Sequence, residues 1–244
     1  MRHLLLPALA GALLSSAAAA QSSGNGFLFG RPSGSIVVRA GYAAANAKSD
    51  IFSFTSEQLT LNRRDFSSPS IDVDMAFALG GRNDLLLSAG YTGMNKRSEF
   101  RDFVDQNNAP IEQATVFQRV PLTVSLRHYL TSPGRSIGSF AWVPAKFAPY
   151  LGIGGGAIWY RFHQTGDFID FTTNDVFPAT LSSQGWAPAA RALAGAEFTL
   201  NPRFALTAQA SYLWAKGRLG SDFSGFNRID LSGLSTSIGL AARF

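Results

Sequence analysis

The feature that most constrains this chain is a side-chain alternation with a period of two. Its clearest run is Ile71-Asp72-Val73-Asp74-Met75-Ala76-Phe77-Ala78-Leu79, large and apolar at every odd position and acidic or small at every even one. Period two places successive side chains on opposite faces of a strand. The pattern recurs over residues 35–43, 70–79, 84–92, 118–130, 147–161, 186–200, 204–214 and 232–244. In each segment one face is apolar, as with Ile36, Val38, Ala40 and Tyr42, or Val120, Leu122, Val124 and Leu126. The other face is small or polar, as with Arg39 and Gly41, or Thr123, Ser125 and Arg127.

Most of these segments run to roughly 9–13 residues, where a tilted membrane strand needs about 9–11 and an ordinary strand averages about 5–6. Apolar outside and polar inside is the arrangement of a transmembrane barrel. The expected fold is all-β, an eight-stranded antiparallel up-and-down transmembrane β-barrel over residues 35–244. No helical route through a membrane competes with it. The long apolar stretch 141–160 contains Pro144, Pro149, Gly152, Gly154, Gly155 and Gly156, which break a helix repeatedly.

Residues 1–20 read as a secretory signal. Arg2 and His3 precede an apolar run from Leu4 to Leu14, and Ala18-Ala19-Ala20 precede Gln21. A basic start, an apolar middle and a small-residue cleavage site are the parts of a cleaved export peptide. Residues 21–34 then form a flexible periplasmic N-terminal segment ahead of the barrel. Composition agrees. Charged residues make up 15% of the chain, well under the roughly 25% of a soluble domain. The absence of Cys excludes disulfide and thiolate-metal scaffolds. The net charge of +5 includes no basic run, so no nucleic-acid footprint is expected.

The links alternate in length. Gly80-Gly81-Arg82-Asn83 and Asn201-Pro202-Arg203 are short and have turn chemistry. Residues 44–69, 93–117, 162–185 and 215–231 are expected to be long outer loops. The link 131–146 breaks the rule: it should be a periplasmic turn, yet it is long and carries Trp142, and the pattern supplies no reason for its length. Tyr42, Tyr91, Trp159 and Trp214 fall on the apolar face near the outer ends of their strands, where aromatic rings favour the headgroup zone.

On these residues the chain resembles the small Gram-negative outer-membrane β-barrel superfamily of the OmpA, OmpX and OmpW type. Val38-Arg39-Ala40-Gly41-Tyr42 is similar to an OmpW-type first strand, and Pro149-Tyr150-Leu151-Gly152-Ile153-Gly154-Gly155-Gly156 to a PYxGxGxG strand common in these proteins. The end, Ile238, Leu240, Ala242 and Phe244 at alternate positions, resembles the carboxy-terminal signal read by the barrel-insertion machinery. The resemblance covers the whole mature chain. It implies an integral place in the outer membrane, with outer-membrane lipid and lipopolysaccharide as surroundings, and no particular activity.

Chemistry is sparse. Gly152-x-Gly154-x-x-Ala157 matches a dinucleotide fingerprint in form, but that motif needs a following helix, and Ile158-Trp159-Tyr160-Arg161-Phe162 is strand-like. After signal cleavage only His128 and His163 are left as histidine bases. Asp167, Asp170, Ser182 and Ser183 lie near His163 in the sequence, and a lipid-modifying site could be drawn there. No signature of lipid A deacylases, palmitoyltransferases or omptin proteases accompanies them, so His163 reads as a loop histidine. No catalytic, cofactor or metal residues are assigned.

Arg39, Asp72, Asp74, Arg127, Arg191, Glu197 and Arg243 share the inward parity. An eight-stranded barrel leaves room only for side chains, and enclosed charges should pair. Arg39 is expected to pair with Asp74, with Asp72 sharing the contact. The functional expectation is a monomeric, non-enzymatic outer-membrane barrel with a structural or surface-interaction role through its long loops. A narrow, porin-like OmpW-type channel for small or hydrophobic solutes is the alternative, and a barrel enzyme acting on envelope lipid near His163 a third reading.

Overall fold

The computed structural model describes residues 26–244, apart from Asn174. Eight long strands follow one another: β1 (Gly34–Ala45), β2 (Ser68–Gly80), β3 (Asn83–Val104), β4 (Pro110–Tyr129), β5 (Phe147–Ile169), β6 (Val176–Thr199), β7 (Phe204–Gly217) and β8 (Gly233–Arg243). Each pairs antiparallel with its neighbour in sequence. β8 also pairs with β1, from Gly233↔Ala45 to Arg243↔Ser35, which closes the ring. Closure leaves no sheet edge in the middle of the wall, so every backbone polar group there has a partner within the sheet. Among the described residues no helix is long and apolar enough to cross a membrane.

The wall is turned inside out. Val38, Ile71, Val73, Met75, Leu87, Leu122, Val124, Leu126, Leu151, Ile153, Leu206, Ile238 and Leu240 are exposed on its outer surface, while Arg39, Asp74, Arg127 and Glu197 are buried inside. No soluble barrel arranges its side chains so, because water would meet the aliphatic groups and leave the charges without solvation.

Two expected outer loops are strand instead. β3 runs on to Val104 and β4 starts at Pro110, so the link drawn at 93–117 shrinks to 105–109. β5 and β6 likewise continue to Ile169 and from Val176, leaving 170–175 of the link drawn at 162–185. The alternation persists in these extensions with its chemistry reversed. Inside stand Met94, Phe100, Ile111, Phe117 and Phe162, together with Ser98, Gln113, Thr115 and Gln164, all buried, while Asn95, Arg97, Glu99 and Glu112 are exposed outside. A search for apolar-outward strands stops where the surrounding solvent changes.

The link 44–69 contains a helix, α1 (Asp50–Gln58), and a 3-10 turn, Arg63–Phe66. Asp50 lies in the first turn of α1, where a carboxylate favours the helix dipole. Asn62 and Asp65 close a capping box on the 3-10 turn. Ile51, Phe52, Leu59, Leu61 and Phe66 are buried in one cluster with Phe117, Phe162, Phe223 and Leu231. The Phe52 ring meets Phe66, Phe117 and Phe162 edge-on, with centroids 4.6, 5.3 and 5.8 Å apart. This end of the barrel, opposite the one where residues 34 and 243 meet, is closed by a packed apolar core.

The chain-terminal end is closed differently, and here the length of the link 131–146 finds its reason. Residues Gly134–Ile137 and Ala141–Pro144 form a hairpin, with Gly138 at φ +63° in its turn. Leu28–Phe29 adds a third strand. Within the segment expected to be a lead-in, Ser33 and Gly34 also donate backbone N–H bonds to the Phe244 carbonyl (2.8 and 3.2 Å). The hairpin tucks Trp142 into the mouth, 5% exposed, with the Arg243 guanidinium 5.9 Å from its ring. A Cβ on Gly134 would lie 2.2 Å from that ring, so only glycine permits the approach.

Candidate functional site

The lumen between these two seals carries the charged side chains. All seven residues assigned to it point inward. Arg39 Nη2 bonds the Asp74 carboxylate, both about 1% exposed. Asp72 stands directly across from Arg39 in the ladder without joining that pair or forming another ion pair among the described residues. Arg191 also lacks a carboxylate at contact distance and donates to Thr123 Oγ1 and Ser211 Oγ, each at 3.3 Å. Toward the chain-terminal mouth, Arg127 bridges Asp84 (2.5 Å) and Glu197 (3.0 Å), and Arg243 meets the second oxygen of Glu197 (3.0 Å). Tyr129 donates its hydroxyl to Glu197 at 2.7 Å. The guanidinium of Arg127 lies over the Tyr129 and Tyr150 rings, at 4.7 and 5.0 Å from their centroids. A cavity of about 40 Å³ stays open among Arg31, Asp84, Arg127, Trp142, Glu197 and Arg243; it has room for a few waters.

Three lumen charges were missed: Asp84, Arg119 and Asp230. Asp84 shares the parity of Leu86 and Ser88, and Arg119 that of Thr123 and Arg127, so parity alone reaches both. Arg119 donates to the Leu231 carbonyl (3.2 Å) beneath the apolar cap. Asp230 accepts from the backbone N–H of Lys48 (3.2 Å) and of Ser232 (3.0 Å). Nothing in the alternation marks it.

Loop contacts hold the cap in place. Asp50 accepts from both the backbone N–H and the side-chain amide of Asn227, at 2.8 Å each. The Asn227 backbone bond is the leading reason its carboxyl is held below the usual carboxylate range. Asp65 is held low chiefly by its bond to Lys96, then by the Asn62 N–H.

Around His163, Ser182 stands directly across in the β5–β6 ladder, while the contact of the ring is to a threonine. His163 Nε2 meets Thr165 Oγ1 at 2.9 Å. Ser183 turns inward to the Tyr160 hydroxyl (3.1 Å). Asp170, at the hairpin tip, accepts from the Thr172 N–H (2.8 Å). His128 meets Asn83 Oδ1 at 2.8 Å near the other end. Among the described residues no group of three or more His, Asp or Glu side chains is placed to hold a metal.

Of the girdle residues, Tyr42, Tyr91 and Trp214 are exposed on the outer face and Trp159 is half-buried beside Trp186. Trp186, itself exposed, belongs to the same belt and was not singled out. Ile238, Leu240 and Phe244 are exposed on the same outer surface, and Ala242 is half-buried.

A closed ring of eight antiparallel strands, apolar outside and charged within, is the fold of the small outer-membrane β-barrels. No family profile and no curated protein matches the chain. Among solved structures it is similar to Neisserial surface protein A, at 12% identity and a TM-score of 0.44, over 86% of this chain and 97% of that one. It is also similar to Ail, the attachment invasion locus protein of Yersinia pestis, at 13% identity and a TM-score of 0.41, over 86% and 97%. The N-terminal β-barrel domain of Pseudomonas aeruginosa OprF matches at 12% identity and a TM-score of 0.35, over 88% and 100%. At such identities the likeness is one of fold alone.

Proposed function

We propose that this chain is an integral outer-membrane protein whose barrel is a sealed scaffold, with its chain-terminal end in the periplasm and its far end outside the cell. The carrying observation is the pair of seals. Trp142 and the Arg127–Glu197–Arg243 network fill one mouth, and the α1 cluster around Phe52 fills the other. A passage for solutes would need both to leave. The role that fits is display. β3 to β6 are 22, 20, 23 and 24 residues long, about twice what a bilayer requires, so they carry a polar-faced wall outward for surface contact.

Single-channel recording in planar bilayers tests the proposal. Purified, refolded protein is expected to give no steady open-pore conductance. A stable conductance, abolished when the protein is left out, overturns the sealed-scaffold reading.

A further inference from the structure

The chain-terminal end of the molecule carries side-chain charge of one sign on its surface. Arg31, Arg82, Arg135 and Lys146 are exposed there, and Arg203, half-buried, stands in the turn between β6 and β7. The carboxylate side chains at this end, Asp84 and Glu197, are buried in the lumen and paired with arginine. Among the described residues, every Asp and Glu outside the lumen belongs to the links and strand extensions of the far end. None of Arg31, Arg82, Arg135 and Lys146 has an ion-pair partner among the described residues. Arg31 and Arg82 each give an N–H to a backbone carbonyl, of Gly81 (2.8 Å) and Leu130 (3.0 Å), which fixes both at the rim. A face with a field of one sign concentrates ligands of the other.

The three-stranded lid across this mouth adds an apolar surface. Its strands are ordered Leu28–Phe29, Ala141–Pro144 and Gly134–Ile137. The register puts Leu28 and Trp142 together on the face that is buried against the barrel. Phe29, Ala141 and Ile137 are aligned on the opposite face, with Arg135 and Val143 beside them. Phe29 and Ile137 are 58% and 52% exposed, and Phe140, in the hairpin turn, is 79% exposed. The Phe27 ring packs edge-on against Phe29, with centroids 5.5 Å apart, and the Gly30 N–H donates to the Phe140 carbonyl (2.9 Å), so these rings share one neighbourhood. An exposed apolar patch rimmed by polar groups marks a contact site. This one faces away from the mouth, whereas the wall meets lipid through its own exposed rings, Phe147 and Phe198. Aromatic rings pack on the C–H faces of sugar rings, and guanidinium groups fit carboxylates. A glycan that bears carboxylates offers both; a phospholipid headgroup or an acidic polypeptide offers the charge without the sugar.

We propose that the outward face of the lid docks on the anionic glycan of the cell wall, with Phe29 and Phe140 stacked on sugar rings and Arg135, Lys146 and the rim arginines on the carboxylates of its peptide stems. The inference rests on the membrane reading above, which puts this end in the periplasm, where that polymer lies. The sealed barrel is then moored from below while its high hairpins reach outward.

The test sediments full-length refolded protein, in zwitterionic micelles, with purified peptidoglycan sacculi. Wild-type protein is expected to pellet with them at about 0.05 M salt and to stay in solution at about 0.5 M, where exposed charges are screened. Amidating the carboxylates of the sacculi should weaken retention about fivefold, and so should the double substitution Arg135→Gln with Lys146→Gln, as loss of exposed ion pairs implies. Phe140→Ser should weaken it and Phe140→Trp should keep it, while Arg97→Gln, on the far hairpin, should change nothing. Heat-dependent gel migration verifies that each variant is folded. No pelleting of wild-type protein, equal retention by amidated sacculi, or binding unchanged by Phe140→Ser overturns the proposal. Release by soluble polyglutamate or short-chain phosphatidylglycerol as complete as by soluble peptidoglycan fragments overturns it too, in favour of an acidic protein or a lipid. Orientation is read separately. The chain has no Cys, so Ser139→Cys gives the lid a single thiol. Labelling of that thiol on intact cells by an impermeant maleimide overturns the membrane orientation, whereas protection of the thiol together with no pelleting overturns the docking surface alone.

Discussion

Arg127 shows how much one lumen residue holds together. It touches carboxylates from β3 and β6 and two tyrosine rings. Its reach across β5 is possible because its ladder partner there is Gly152, which has no side chain. Replacing it by Met leaves Asp84 and Glu197 enclosed without their shared counter-charge. Breaking a buried pair on one side costs about 3–5 kcal/mol. The Arg127→Met protein should therefore unfold at clearly lower urea in micelles, and a midpoint equal to wild type would show that the network contributes nothing. The inward parity of Arg127, Glu197 and Arg243 was legible in the sequence. Their pairing was not, because which strands face each other across a lumen depends on the stagger of the closed ring. Arg39 and Asp74 could be paired on paper because they sit on adjacent strands.

At the scale of elements, α1 is the part no alternation announces. Its nine residues pack as a stopper, with Phe52 in contact with three other phenylalanines. Phe52→Ala should cost about 3–5 kcal/mol of local packing. Protease should then cut within residues 44–69 while the wall stays folded, as judged by gel migration; loss of the whole barrel would mean the stopper and wall fold as one unit. The Asp50 clamp adds a pH dependence. Its carboxyl is held below the ordinary value when bound to Asn227. Its contribution is thus present above the ordinary carboxylate range and disappears as pH falls through the lowered value. Hydrogen exchange in α1 should accelerate only in that acid window, with no step attributable to Asp50 between about pH 5 and 8, and Asp50→Asn should remove the acid step. The hairpins 83–129 and 147–199 teach the complementary lesson. Their inner halves were read from the alternation, and their outer halves were lost because apolar and polar faces exchange places above the belt. The hairpin in 131–146 was hidden for another reason: its partner, Leu28–Phe29, is about a hundred residues away in sequence.

The whole molecule is a wall that passes through two solvents, with its polarity reversed between them. Within the apolar band, a charge on the outer surface should be expensive. Val124→Arg is expected to lose about 2–4 kcal/mol of folding free energy in lipid vesicles, while Asn95→Arg, beyond the belt, should cost little. Equal effects at the two positions would mean that the band is misplaced. The seam between β1 and β8 has a consequence of its own. Since the Phe244 carbonyl already accepts from Ser33 and Gly34, a short linker could splice the old ends and let the polypeptide start anew at the Gly81 turn. Such a circular permutant keeps the same cylinder but buries the former last residue mid-sequence. It should refold unaided in detergent, and a failure to do so would show that the order in which the strands follow one another, and not the closed ring alone, decides the shape.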